Sequence, residues 1–134
     1  MKQIFINLPV KNLEKSMDLY SQLGFEVEPL FTFEDQKCLT WDKNIFIMLQ
    51  EKKSENAVQK DVKLNQNKPT FTLPVESLES VHLIVENGLR AGCTETHPMI
   101  DEGFMQIRTI KDFDNHVWGI IFLDIDKFKE MKEK

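Results

Sequence analysis

Apolar and polar positions in the first part of the chain alternate in a way that predicts a strand followed by a helix. Residues 3–10 are rich in β-branched and aromatic side chains and predict the first strand. Leu13, Met17, Tyr20 and Leu23 then recur every three or four positions, which places them on one face of a helix. The polar positions between them fall on the opposite face, so this helix is expected to pack on a sheet through one side.

The ends of this helix carry residues that start and stop helices. Asn12 precedes the first apolar position, where its side chain can accept a hydrogen bond from a free backbone N–H. Gly24 follows the last one, where the left-handed backbone of a helix C-terminus favours glycine. Three short strands are predicted next, at residues 25–33, 36–41 and 44–50.

The same order of elements returns after a polar stretch at residues 51–68, which predicts a mobile linker. A strand at residues 69–75 leads to Ser77 as a helix N-cap, and the helix ends at Ala91-Gly92. The remaining strands are predicted at residues 93–97, 104–111 and 117–123, with a polar turn at 112–116 and a charged, short helix at 125–134.

Five residues recur 65 positions apart and mark the two halves as copies of one unit. Leu8-Pro9-Val10 and Leu13-Glu14 return as Leu73-Pro74-Val75 and Leu78-Glu79. One βαβββ module cannot cover both faces of its own sheet, so two are expected to pair. The predicted fold class is α+β, with a curved eight-stranded mixed sheet around a cleft and the helices outside.

We therefore expect a single domain over residues 1–134. Module one covers residues 1–50, the linker 51–68, module two 69–124 and a charged tail 125–134.

Composition narrows the possible functions. The 134 residues include 17 basic and 22 acidic ones, a net charge of -5, which disfavours nucleic-acid binding. No apolar run is long enough to span a membrane and the N-terminus lacks a signal-peptide pattern, so a cytoplasmic location is expected. Cys38 and Cys93 have no metal-binding spacing and are expected to be reduced thiols.

Several motifs resemble those of a known superfamily. They are residues 6–16 with Tyr20 and Leu23-Gly24-Phe25, then Gly103-Phe104-Met105, and then residues 112–118. The last stretch is similar to that superfamily's Asp-Pro-Asp-Gly-His turn. Over residues 2–124 the chain resembles the vicinal oxygen chelate superfamily, which includes glyoxalase I, extradiol dioxygenases and bleomycin- and fosfomycin-resistance proteins. The N-terminal part is most similar to its glyoxalase-like, lactoylglutathione lyase-related branch, and the resemblance implies a homodimer.

The resemblance also implies where a metal would be held, on the first and last strands of each module. These positions carry Phe5, Met48, Thr70 and Gly119. None of them offers the imidazole or carboxylate that a borderline or hard divalent cation prefers. We therefore expect no metal and no cofactor, and metal-dependent glyoxalase chemistry is disfavoured.

Strand alternation adds two polar candidates. Asn7 shares a face with Phe5. Arg108 shares a face with Gln106 and Ile110, so it either lines the cleft or pairs with a turn carboxylate such as Asp112. The candidate ligand-binding residues are Phe5, Asn7, Met48, Thr70, Arg108 and Gly119. No catalytic residue is predicted.

Aromatic residues on the strands offer a cleft wall or ordinary core packing. These residues are Trp41, Phe46 and Trp118.

Other reactive residues have mainly structural interpretations. His82 is expected on the outer face of the second helix, His97 in a loop and His116 at a turn edge. A metal site formed by His97, Glu95 and Asp101 would need a loop to fold back. Asp112 and Asp114 lack the glycine and glutamate of a calcium loop, so a polar turn is expected. No base can be identified for Cys38 as a nucleophile.

Three functions remain open. The chain binds a small apolar or aromatic molecule in the inter-module cleft without a metal, it is a lyase- or isomerase-type enzyme, or it is a non-catalytic interaction module. The apolar residues at the ligand positions favour the first hypothesis.

Overall fold

The computed structural model describes residues 2–51 and 69–133. The chain divides into two compact units, Met1–Pro69 and Thr70–Lys134. The boundary falls within one residue of the predicted start of module two. The predicted linker lies outside the described residues, apart from Glu51, which ends a strand.

The described residues of the first unit, 2–51 and 69, form one sheet, one helix and a short 3-10 turn. Its elements are β1 (Ile4–Val10), α1 (Leu13–Leu23), β2 (Glu26–Val27), the 3-10 turn Pro29–Phe31, β3 (Gln36–Asp42) and β4 (Ile45–Glu51). The strand order is β1-β4-β3-β2. β1 pairs with β4 in parallel, and the other pairs are antiparallel.

The second unit repeats this topology. Its elements are β5 (Thr70–Pro74), α2 (Leu78–Ala91), β6 (Thr94–Asp101), β7 (Met105–Lys111), β8 (Val117–Leu123) and α3 (Ile125–Glu133). The strand order is β5-β8-β7-β6, with β5 and β8 parallel. The two predicted βαβββ modules and the α+β class are confirmed, each module forming a four-stranded mixed sheet; their pairing around a cleft stays a prediction.

Both predicted helices begin and end where their sequences indicate. Asn12 Oδ1 accepts a hydrogen bond from the Lys15 N–H at 3.0 Å, and Ser77 Oγ accepts one from the Ser80 N–H at 3.0 Å. At the opposite ends Gly24 and Gly92 adopt φ of 116° and 114°, a backbone region that favours glycine. No helix in the described ranges is long and apolar enough to cross a membrane.

Two predicted strands have different lengths in the structure, and proline is involved in both. The strand predicted at residues 25–33 ends at Val27, because Pro29 begins a 3-10 turn and has no N–H to give to a sheet. The strand predicted to end at residue 97 continues to Asp101 through Pro98. It tolerates proline because it is an edge strand whose pairing with β7 is irregular there.

Each sheet has one face packed on its helix. Val10, Leu49 and Leu39 are fully buried or nearly so on the α1 side, together with Leu19 and Tyr20 of the helix itself. We call the other face of each sheet, turned away from α1 or α2, its distal face. Successive strand residues alternate between the two faces.

Candidate functional site

Three of the predicted site residues lie on the distal face of the first sheet. Lys37 marks the helix face because its Nζ lies 3.8 Å from a carboxylate oxygen of Glu14 on α1. Alternation along β1 and β4 then places Phe5, Asn7 and Met48 on the distal face. Asn7 and Met48 are direct partners across the parallel pair β1 and β4.

Two further predicted residues occupy equivalent places in the second sheet. Thr72 and Gly119 are direct partners across β5 and β8, as Asn7 and Met48 are across β1 and β4. Thr70 lies two residues before Thr72 and therefore shares its face. The register thus makes Met48 and Gly119 equivalent strand positions, as the resemblance to the vicinal oxygen chelate superfamily implied.

The distal face of the first sheet is covered by its own aromatic side chains. Phe5 stacks on Phe46 with ring centroids 4.6 Å apart, and Phe31 meets both rings edge-on, at 5.4 Å from Phe5 and 6.0 Å from Phe46. Phe46, Met48 and Cys38 form a buried cluster against which Phe31 packs. Phe5 is 39% exposed, so the cluster presents an aromatic surface to solvent.

An open groove of about 460 Å³ borders this aromatic cluster. Phe31, Phe46, Leu30 and Trp41 form its apolar lining. Leu30 is 72% exposed and is one of the residues that line the groove. We call this feature the Phe31–Phe46 groove.

Charged residues also line the Phe31–Phe46 groove. They are the carboxylates of Glu26, Glu28 and Asp42 and the ammonium of Lys43. Glu26 pairs with Thr40 in the sheet, and the Glu28 N–H bonds to the Cys38 carbonyl at 2.8 Å. These two glutamates therefore share the distal face with the aromatic cluster, and the groove combines apolar walls with an excess of negative charge.

On the distal face of the second sheet, the position of Gly119 has little room for a side chain. A Cβ added to Gly119 would lie 3.0 Å from Ile107 Cδ1 and 3.7 Å from Thr72 Oγ1. Ile107 thus fills the space that a side chain at position 119 would occupy. A metal-binding residue at this position would need Ile107 to move, in addition to donors at the other three predicted positions.

Arg108 is not brought together with Thr70 and Gly119. Its guanidinium makes a bidentate contact with Glu95, at 2.8 and 2.9 Å, and lies 2.9 Å from Glu86 and 3.0 Å from His82 Nδ1 on α2. It therefore faces α2, and the prediction that it faces the cleft is wrong about the side of β7. The paired-arginine interpretation is the correct one, with Glu95 and Glu86 as partners in place of Asp112.

This network also explains the charge states of its members. The hydrogen bond from Arg108 lowers the pKa of Glu95, and it outweighs the opposing effect of partial burial. The same hydrogen bond raises the pKa of Arg108 above its already high value. Because Glu95 and Arg108 are both charged at neutral pH, their ion pair can hold β6 against β7. The contact of Arg108 with Glu86 does the same for α2.

The histidines and their predicted metal partners have structural roles. His82 contacts Arg108 and is half-buried, so it does not lie on the outer face of α2 as predicted. His116 lies at the edge of the 112–116 turn as predicted, directly before β8, and is buried there. His97 lies on strand β6, not in a loop. Glu95 is bound to Arg108, and Asp101 accepts hydrogen bonds from the Gly103 N–H and the Gln106 amide. Across residues 2–51 and 69–133 no three His, Cys, Asp or Glu side chains are grouped to hold a metal.

The remaining sequence candidates are also accounted for. Asp112 Oδ1 accepts hydrogen bonds from the N–H groups of Asp114 and His116, both at 2.8 Å, which confirms the polar turn. Burial raises the pKa of the Cys38 thiol to about 11, with a smaller contribution from Glu28, so it is protonated at neutral pH and poorly nucleophilic. Trp118 packs against Phe71, with centroids 4.8 Å apart, on the face opposite Gly119.

Sequence reasoning named Trp41 and Phe46 as a possible apolar wall but missed the other residues that make the groove. Glu26, Glu28, Leu30 and Phe31 all lie in the stretch predicted as one continuous strand. Pro29 was the available signal, since a proline favours a turn at this position and would have placed Leu30 and Phe31 outside the sheet.

Comparisons with known proteins agree with this architecture. Scans against protein-family models and against curated proteins found no match. Solved structures do match. A hypothetical protein from S. aureus is 21% identical with a TM-score of 0.71, covering 91% of this chain and 97% of that one. A glyoxalase/bleomycin resistance protein/dioxygenase family enzyme from Burkholderia phytofirmans PsJN is 13% identical with a TM-score of 0.73, covering 92% and 99%. A glyoxalase-related enzyme from Fulvimarina pelagi is 17% identical with a TM-score of 0.69, covering 91% and 88%.

These likenesses extend over about nine-tenths of the chain and agree with the repeated βαβββ topology seen in both sheets. Identities this low carry the fold and leave the reaction open. The chain has the vicinal oxygen chelate fold of the glyoxalase/bleomycin resistance/dioxygenase proteins.

Proposed function

We propose that this protein binds a small aromatic molecule without using a metal, and that the Phe31–Phe46 groove receives it. The observation that carries the proposal is the aromatic cluster of Phe5, Phe31 and Phe46 beside an open groove. Two positions where metal-using relatives are expected to carry ligands, Phe5 and Met48, here supply apolar surface on that same face. Aromatic rings of a ligand gain from packing on such surface.

The dimensions of the groove support a ligand of modest size. Small-molecule sites typically have volumes of about 300–1,000 Å³, with predominantly apolar linings and a few polar groups that fix orientation. At about 460 Å³, the groove can hold a molecule of one or two rings. The exposure of Phe5 and Leu30 leaves apolar surface for such a ligand to cover.

The residue chemistry at the predicted ligand positions supports a role that needs no metal. Phe5 and Gly119 have no donor atom, Met48 offers only a soft thioether, and the hydroxyl of Thr70 is a weak ligand. Ile107 occupies the space beside Gly119. Structurally similar proteins carry names that refer to glyoxalase and to bleomycin resistance. Both names refer to small molecules, which supports a small-molecule function for this fold.

Titration of the protein with 1-naphthylmethanol, an uncharged two-ring probe, tests the proposal. Isothermal titration calorimetry is expected to give saturable binding to one site. Leu30→Ala removes apolar surface from the groove lining. A fully covered leucine side chain contributes up to a few kcal/mol. Because a ligand in the groove would cover Leu30 only in part, the variant should bind about threefold to tenfold more weakly.

Leu83→Ala is the matched control for this variant. Leu83 is also largely exposed, at 61%, but it lies on α2 and is not among the residues that line the groove. Its replacement should leave the dissociation constant unchanged. Absence of binding to the wild-type protein, or equal weakening by both leucine variants, would contradict the proposal.

A further inference from the structure

The Phe31–Phe46 groove carries three carboxylates and one ammonium beside its aromatic wall. Glu26, Glu28 and Asp42 together with Lys43 give a formal charge of -2 at neutral pH (three negative, one positive). Among the ion pairs of the described residues, none involves Glu26 or Glu28. The groove thus has unneutralised negative charge next to apolar surface.

Backbone pairing with β3 fixes the main chain of both glutamates. Glu26 lies in β2, opposite Thr40, and the Glu28 N–H is bonded to the Cys38 carbonyl. Glu28 Oε2 also accepts the Leu30 N–H at 3.4 Å, a long contact at the start of the 3-10 turn. The backbones of both glutamates are therefore attached to the sheet edge that borders the aromatic cluster, which places their carboxylates in the groove lining.

Aromatic and acidic groups together favour a positively charged nitrogen. The faces of Phe and Trp rings attract cations through their quadrupoles, and the carboxylates attract the same charge. A groove with low-dielectric walls focuses the field of its charges, so their effect exceeds that of the same groups on a flat surface. An anion would meet repulsion from the same groups.

We infer that the ligand of the Phe31–Phe46 groove is an aromatic molecule with a cationic nitrogen, held through Glu26 and Glu28. This inference rests on the proposed function and specifies its ligand class. The aromatic part packs on Phe31 and Phe46, and the cation lies at the acidic edge. Lys43 and Asp42 offset each other in charge, so the two glutamates determine the preference.

The test compares three probes with one ring system and different charge. They are 1-naphthylmethylammonium, 1-naphthylmethanol and 1-naphthoate. Calorimetric titration of the wild-type protein is expected to give about tenfold tighter binding for the cation than for the alcohol, with the anion weakest. The preference should increase when NaCl is lowered from 150 mM to 20 mM, because salt screens exposed charges.

The double variant Glu26→Gln/Glu28→Gln removes the charge and keeps the side-chain size. In this variant the dissociation constant for the cation is expected to come within about twofold of that for the alcohol. The dissociation constant for the alcohol should be unchanged. The control Glu130→Gln/Glu133→Gln makes the same change in net charge on α3, outside the groove lining, and should retain the full preference.

The possible results separate this inference from the proposed function. Equal affinity for cation and alcohol in the wild-type protein, or a preference that survives in Glu26→Gln/Glu28→Gln, overturns the cation inference and leaves aromatic binding in place. Failure of all three probes to bind overturns the proposed function and the inference with it.

Discussion

Arg108 makes close polar contacts with three other side chains of the second module. It reaches Glu95, Glu86 and His82, and only 12% of its side chain is exposed. Its positional counterpart in the first module is Lys37, since Arg108 pairs with Ile120 and Lys37 with Leu49, at equivalent points of the two sheets. Both cations face a helix, but Lys37 has a single long contact with Glu14.

Arg108→Met is expected to lower the free energy of unfolding by about 1–3 kcal/mol, because it leaves Glu95 and Glu86 partly desolvated without a cation. Lys37→Met should cost less than about 1 kcal/mol, since its partner is largely exposed. Urea denaturation of the two variants measures the difference. Equal losses would mean that the Arg108 network contributes no more than an ordinary surface pair.

Glu95 gives this network a defined dependence on pH. Its pKa is lower in the folded protein than its ordinary value of 4.5, so it stabilises the fold fully above that value and loses this effect as pH falls through the folded pKa. Glu95→Gln should therefore be less stable than wild type at pH 7, and the difference in stability should narrow as the pH falls below 4.5. Glu130→Gln on exposed α3 serves as the control. A stability gap that stays constant down to pH 3 would contradict this assignment.

Gly92 and Gly103 form a matched pair of glycines with positive φ. Gly92 has φ of 114° and a Cβ there would lie 2.5 Å from Phe113, whereas Gly103 has φ of 82° and open space around it. Gly103→Ala should cost about 1 kcal/mol from backbone strain alone, and Gly92→Ala at least about 2 kcal/mol because Phe113 must also move. Thermal unfolding distinguishes the two, and equal costs would show that the Phe113 contact is readily relieved.

At the scale of elements, the helices follow from their local sequence. Asn12→Ala and Ser77→Ala should each destabilise the protein by about 1 kcal/mol, because each removes the acceptor for a free N–H at a helix start. Ser21→Ala, at an exposed position within α1, is the control and should be neutral or slightly stabilising. Chemical denaturation of the three variants is the measurement. A neutral Ser77→Ala would mean that water replaces the cap without cost.

Helices, repeat and turn were predictable because each depends on residues close in the sequence. The caps Asn12 and Ser77, the glycines at the helix ends and the 112–116 turn act over a few positions and were placed correctly. The lengths of β2 and β6 were not, because a proline ends a strand in one context and is tolerated at a sheet edge in another.

The site was predictable only in part, for a similar reason. Alternation correctly placed Phe5 and Asn7 on one face. For Arg108, alternation predicted which residues share its face of β7. It could not predict which of the two faces packs on α2, because that depends on contacts between residues far apart in the sequence. The Phe31–Phe46 groove depends on the packing of a 3-10 turn against strands far away in the sequence, and it was not predicted.

At the scale of the whole molecule, we expect the protein to be insensitive to divalent metals. Addition of Zn²⁺, Ni²⁺, Mn²⁺ or Fe²⁺ to the untagged protein should leave its melting temperature unchanged. A native-state site at a hundredfold excess over its dissociation constant would add about 2.7 kcal/mol of stability, so the experiment is sensitive. Mg²⁺ at the same ionic strength is the control. A saturable rise in melting temperature with one equivalent of metal would contradict the proposed metal-independent function.

The two modules share a backbone plan but differ in side-chain volume at equivalent positions. Phe5 and Met48 in the first correspond to Thr70 and Gly119 in the second. Equivalent strand positions therefore carry bulky side chains in the first module and small ones in the second. The halves are therefore not interchangeable: a chain built from two copies of either one would keep the strand order and lose the chemical contrast. Under the proposed function, the choice of ligand would follow from the side chains in which the two modules differ.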